Sequence, residues 1–283
     1  MTEGKLMRYS AFSAEPAGGN PAGVWIGSEL PSPEEMQSLA KQVGYSETAF
    51  IAPTKGFSRT VRYYSPEIEV TFCGHATIAS GVALGSIEGP GTYIFSTLVG
   101  DIPVSVSEQS GQIRAALTSV EPETAEATEN LVEEVLKALD WAPADLSPEI
   151  APIRAYAGAW HLVLAAGRLE RLNRLAYDFG TLKSLMEREK LTTIQLVWRE
   201  TDHVFHSRNP FPVGGVIEDP ATGAAAAALG GYLREKELVR LPAQIIIRQG
   251  EAMGRPSRIE VEIPEKGGII VSGTAVKLSE GSQ

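Results

Sequence analysis

Residues 73–84 read CGHATIASGVAL, with a thiol, a glycine and an imidazole in succession at the entrance to a run of small apolar residues. That run predicts a helix too apolar for a surface position, one buried on every side. A second stretch, DPATGAAAAALGGYL (219–233), repeats the design. Setting Gly74 on Gly223, an offset of 149 residues, brings Ala76 onto Ala225, Ala79 onto Ala228, Gly81 onto Gly230 and Leu84 onto Leu233. Self-similarity at half-chain spacing predicts two related domains, each built round one buried helix.

Length agrees. A chain of 283 residues is expected to hold about two domains. Outward from the two helices, the pattern is mostly short strands. Strands are predicted at 6–12, 23–27, 45–52 and 59–64, within 93–106, and at 112–118. Further strands are predicted at about 160–167, 193–199, 203–207, 244–249, 258–263 and 268–278. The turn-rich AEPAGGNPAG separates the first two, with Gly18, Gly19, Asn20 and Pro21 supplying turn chemistry. Ser32 and Glu35 form a capping box with Pro33 at the first helical position, and Gly44 ends that helix. Helices are also predicted near 130–140, 168–176 and 180–190, and the polar EPETAEATE (121–129) reads as a linker. Short strands with one Ala-rich helix per half predict an α+β fold rather than alternating β/α units.

Composition narrows the partners. Asp and Glu outnumber Lys and Arg 35 to 25, for a net charge of −10, and the basic residues are dispersed. Nucleic acid and anionic membrane surfaces are poor matches to that field. Arg168, Arg171 and Arg174 alternate with leucines as a solvated helix face does. Cys73 is the single cysteine, so no intrachain disulfide forms. MTEGKLMRYSAF lacks an apolar run of signal length, and no window approaches a membrane span. A soluble cytoplasmic protein is expected.

Several residues have the chemistry for a site. The first N–H groups of a helix have no internal partner, and the helix dipole places partial positive charge there. Gly74 and Gly223 let a ligand approach that backbone, with Ala76 and Ala224 beside them. If both helix starts face one cleft, they make a double anion cradle without Lys or Arg. The alternative is that the glycines only allow close packing. Glu47 in YSETAFIA falls on one strand face with Tyr45, Ala49 and Ile51, an apolar setting suited to a general acid or base; the other reading is a strand-end carboxylate reaching water. His75 at a helix entrance fits a neutral imidazole bonding a substrate, or one satisfied by nearby backbone. Asp219 before Pro220 fits a site carboxylate or a helix cap. Cys73 fits an activated thiolate or a small buried residue, and alone it cannot supply a two-thiol racemase. His203 and His206 lack a third ligand at a telling spacing, and no metal site is expected.

Taken in order, GGNPAGV (18–24), SETAF (46–50), SPEIEVTFCGHAT (65–77), EDPATGAA (218–225) and SGTAVKLSEG (272–281) make a set that resembles the PhzF-like phenazine-biosynthesis family, in the diaminopimelate-epimerase superfamily. The resemblance implies two pseudo-symmetric domains, each a β-barrel-like sheet wrapped round a central helix, with the site in the cleft between them. The domains would be 1–120 with a returning 268–283, and 128–267. It implies a cofactor-free isomerase acting on a small carboxylated molecule by moving a proton between carbons, and a homodimer. Glu47 matches the family's proton-transferring glutamate. His75 and Asp219 match its substrate-binding and proton-assisting partners, and Gly74 and Gly223 its backbone contacts. The family commonly has Thr-Gly-Ser where this chain has Thr222-Gly223-Ala224, so a backbone N–H remains and a hydroxyl is lost. An epimerase or a non-catalytic metabolite binder are the alternative readings.

Overall fold

A computed structural model describes residues 3–279, so Glu280 and Gly281 of the last motif lie outside the described residues, as do the outermost residues of the expected first domain. The chain divides into two units. One runs up to Thr118 and is completed by the segment from Ser272; the other is Ser119–Val271.

In the first unit the strands are β1 (Gly4–Ala11), β2 (Asn20–Gly27), β3 (Glu47–Pro53), β4 (Ser58–Tyr64), the two-residue β5 (Glu69–Val70), β6 (Gly91–Thr97), β7 (Gly100–Gln109) and β8 (Gln112–Thr118). The last strand of the chain, β17 (Ile270–Lys277), pairs with β1 and with β8. With the β1–β2, β2–β3, β3–β4, β4–β6, β6–β7 and β7–β8 ladders, this closes a ring of eight strands. Closure leaves no edge for pairing with other chains.

Two helices take opposite faces of this ring. The first, α1 (Pro33–Val43), starts at the expected capping box and ends on Gly44 at φ 73°. Its Met36 and Ala40 pack outside the ring against Trp25, Phe50 and Tyr64. The second, α2 (Gly74–Glu88), is buried continuously from His75 to Gly85 and touches β1, β2, β3, β7 and β8. An apolar helix has nowhere to sit but inside the barrel. Gly81 shows how tight the fit is: a Cβ there would lie 2.7 Å from the Ala115 Cβ and 2.9 Å from Val104 Cγ1. Gly81→Val is expected to destabilise by about 1–3 kcal/mol through overpacking, read as a lower denaturant midpoint; an unchanged midpoint would contradict that packing.

The second unit repeats the pattern. Its strands are β9 (Glu123–Glu126), β10 (Ile153–Tyr156), β11 (Trp160–Ala165), β12 (Thr193–Thr201), β13 (Val204–Pro210), the two-residue β14 (Glu218–Asp219), β15 (Ala243–Gln249) and β16 (Ser257–Ile263). They pair in the order β9–β10–β11–β12–β13–β15–β16. The β11–β12 and β13–β15 pairs are parallel, as are β2–β3 and β4–β6, and the ladders between them are antiparallel in both units. The pseudo-symmetry expected from one helical repeat therefore extends to strand order and direction.

Of the helices here, α3 (Glu129–Ala138), α4 (Leu169–Asn173) and α5 (Phe179–Glu189) share an outer core with Leu162, Leu164, Ile194 and Leu196. The repeat helix α6 (Gly223–Glu235) lies against β9, β10, β11 and β16. Gly230, the repeat mate of Gly81, makes the same close approach: its Cβ would stand 2.9 Å from Ile269 Cγ2. Two expectations need correction. The supposed linker 121–129 contains β9, paired along its length with β10; exposed glutamates at both ends conceal the half-buried Thr124 and Ala125. The helix expected over 168–176 is only the five-residue α4.

Candidate active site

Each central helix begins at the glycine of its repeat. In α2 the first intrahelical bond is Thr77 N–H to Cys73 O, 3.0 Å; in α6 it is Ala226 N–H to Thr222 O, 3.0 Å. The N–H groups of Gly74, His75 and Ala76, and those of Gly223, Ala224 and Ala225, thus lie ahead of the helical ladder. Neither N-cap, Cys73 or Thr222, closes its helix with a side chain, and neither first turn carries an acidic residue.

In the first unit the start of α2 meets the start of β3. Tyr63 faces α2, its hydroxyl 2.6 Å from Thr77 Oγ1, and Tyr63 stands opposite Ala49 in the β3–β4 ladder. Alternation then puts Glu47 on the same inward face, its side chain 16% exposed. Thr77 donates to Cys73 O at 2.7 Å and so accepts from Tyr63. Burial pushes the Tyr63 hydroxyl well above its usual range and keeps it a donor. This relay anchors the first turn of the helix.

Four groups surround the buried His75 ring. Glu47 Oε2 lies 3.4 Å from Nε2, Ser46 Oγ 3.5 Å from Nε2, Asn20 Nδ2 3.2 Å from Nδ1 and Cys73 Sγ 3.4 Å from Nδ1. Two potential donors, an amide N–H and a thiol, face Nδ1. Nδ1 is therefore assigned as the acceptor and Nε2–H as the donor toward Glu47. An imidazole bonded through Nε2–H to one carboxylate oxygen orients that carboxylate. Asn20 was read from sequence only as a turn residue, and its position in GGNPAG was the available signal.

In the second unit Asp219 is 8% exposed and sits on β14 beside Asn209. It is not a helix cap, because the N-cap is Thr222. Instead the Thr222 hydroxyl donates to Asp219 Oδ2, and Gln249 Nε2 donates to Asp219 O at 2.7 Å and to Thr222 Oγ1 at 3.0 Å. The neighbouring Glu218 is held by Arg208 through two bonds, Nε–Oε1 at 2.9 Å and Nη2–Oε2 at 2.5 Å. Inside this unit a polar chain runs from His161 Nδ1 to Thr193 Oγ1 (2.8 Å) and on to Asn209 Oδ1 (3.0 Å). Burial lowers His161 to about 3, so its ring is neutral and donates from Nδ1. The structure thus brings Glu47, His75, Gly74 and Ala76 together in one unit, and Asp219, Gly223 and Ala224 in the other.

The chain is similar to known proteins over nearly its whole length. Residues 9–281 match the family model described as phenazine biosynthesis-like protein. The chain is 31% identical to an uncharacterized isomerase, YfhB, of Bacillus subtilis, over 98% of this chain and 97% of that one. It is 28% identical to the trans-2,3-dihydro-3-hydroxyanthranilate isomerase of Pseudomonas aeruginosa, over 96% of each. A crystal structure of a PhzF-family protein from Bacillus anthracis superposes with a TM-score of 0.87 at 25% identity, covering 97% of this chain and 98% of that one. A probable proline racemase from Agrobacterium radiobacter shares the fold alone, at 14% identity and a TM-score of 0.66, covering 99% and 93%.

Proposed function

From its membership of the phenazine biosynthesis-like (PhzC–PhzF) family of isomerases, to which this chain belongs, we propose that it moves a proton between carbons of a small carboxylated metabolite, without a cofactor, with Glu47 as the acid/base. The observation that carries this reading is the largely buried Glu47 carboxylate, fixed by His75 at the start of α2. A carbon-bound proton is a weak acid, so its removal needs a positioned base and stabilisation of the charge that develops. Glu47 is the base. The leading N–H groups of α2 supply the stabilisation without a cation. His75 holds the carboxylate in its reacting orientation, and the same carboxyl returns the proton to a second carbon. Asp219, steadied by Thr222 and Gln249, is assigned to assist proton delivery, and the Gly223 and Ala224 N–H groups to bind a carboxylate.

The repeat argues against a racemase whose second base is the repeat mate of Cys73, His75 or Glu47. Cys73, His75 and Glu47 have as counterparts Thr222 and Ala224, at the 149-residue offset, and Thr193, which opens β12 as Glu47 opens β3. None of these is an acid or base near neutral pH. The test is incubation in D₂O with small acids bearing an allylic C–H, followed by mass spectrometry. Uptake of one deuterium together with a shifted double bond is expected. Tight binding of such an acid with no deuterium uptake would instead make the protein a metabolite binder.

A further inference from the structure

Glu47, Cys73 and His75 offer one oxygen, one sulfur and one nitrogen, all within 4.8 Å of one another, and among the described residues they are the one such group of three. We propose that they form a zinc-binding triad through which a thiophilic divalent cation switches the protein off. Tetrahedral zinc with Zn–S near 2.3 Å and Zn–N or Zn–O near 2.0–2.2 Å requires ligand atoms about 3.4–3.6 Å apart. Around His75 Nε2, Glu47 Oε2 lies at 3.4 Å, Ser46 Oγ at 3.5 Å and Cys73 Sγ at 3.9 Å, so both proposed partners of Nε2 stand within a few tenths of an ångström of the required spacing, and the oxygen and sulfur lie within 4.8 Å of each other. Cys73 and His75 are also buried, which removes competing solvent from two of the three positions.

Charge and hydrogen bonding fit as well. Thiolate and carboxylate neutralise the cation, and the fourth position stays open for water or a substrate carboxylate, as in sites with three protein ligands. A ring bound through Nε2 carries its proton on Nδ1, which needs an acceptor. A 180° turn of the Asn20 amide, now 3.2 Å away through Nδ2, presents Oδ1 there. On binding, the Cys73 thiol releases its proton to solvent, so affinity rises with pH. A metal at Glu47 Oε2 takes the place of the His75 hydrogen bond that orients the carboxylate and makes its other oxygen a weaker base for a carbon-bound proton. That inhibitory consequence rests on the proposed role of Glu47; the binding itself does not.

The experiment is a titration of the metal-free protein with Co²⁺ as spectroscopic probe, paired with Zn²⁺ titration of deuterium uptake. The wild type is expected to bind one Co²⁺ per chain with a near-ultraviolet sulfur-to-cobalt band and visible bands of tetrahedral intensity. Zn²⁺ is expected to displace the Co²⁺ and to abolish exchange, with recovery on adding a chelator. Cys73→Ser is expected to lose the sulfur band and to make the exchange that remains insensitive to zinc. Asn20→Ala is expected to weaken Co²⁺ binding about tenfold or more. A wild type without the sulfur band, or a band that persists in Cys73→Ser, overturns the site. Stoichiometric zinc with undiminished exchange overturns the switch while leaving the role of Glu47 open to its own test.

Discussion

Glu47→Gln is expected to slow deuterium uptake by about 10²–10⁴-fold, the usual share of a positioned acid/base. The amide keeps the size of the side chain and an oxygen for the His75 Nε2–H, 3.4 Å from the carboxylate in the native protein. It has no lone pair basic enough to take a proton from carbon. Substrate affinity, read from ligand-induced thermal stabilisation, is therefore expected to survive while exchange is lost. Exchange at the native rate in this variant would remove Glu47 from the chemistry, whatever happens to binding.

The second large effect concerns stability. Arg208 holds Glu218 with two charge-assisted bonds, and the Glu218 side chain is only 3% exposed. Arg208→Ala leaves a carboxylate withdrawn from water without a counter-charge, at a cost of about 3–5 kcal/mol. The melting midpoint is then expected to fall by on the order of 10 °C. The damage reaches the site because Glu218 and Asp219 are the two residues of β14, laid against Pro210 and Asn209. Arg208→Met combined with Glu218→Leu fills similar volume without a buried charge and is expected to regain most of the loss. A midpoint within a degree or two of native for Arg208→Ala would mean that water reaches Glu218 and that the pair is not structural.

What could be read from sequence was what neighbouring residues decide. The Ser32–Glu35 box, Pro33 and Gly44 specify α1 within a dozen residues, and its ends fall where expected. The central helices declare themselves by composition, since nothing but burial accommodates an apolar run flanked by glycine. Features that depend on distant partners stayed hidden. Asn20 reaches a ring 55 residues away. The two-residue β5 and β14 exist only through pairing with β4 and β13, and β9 is a strand because β10 accepts it. The role of Glu47 was half visible: alternation gave its face, and the His75 contact required the fold. Asp219 before Pro220 carried a local capping signal that tertiary structure overrode, starting the helix at Gly223 instead.

The ring closed by β17 also dictates a timetable. Strands β1 to β8 are made early, yet the gap between β1 and β8 is filled only by residues 270–277. During synthesis the amino-terminal half must wait, its barrel open and α2 incompletely enclosed, until almost the whole polypeptide has left the ribosome. The later-made unit, contiguous from Ser119 to Val271, has all its own strands in hand first. The usual N-terminal-first order of domain folding is expected to be reversed, and a nascent chain halted shortly before Ile270 lacks the strand that closes the first ring.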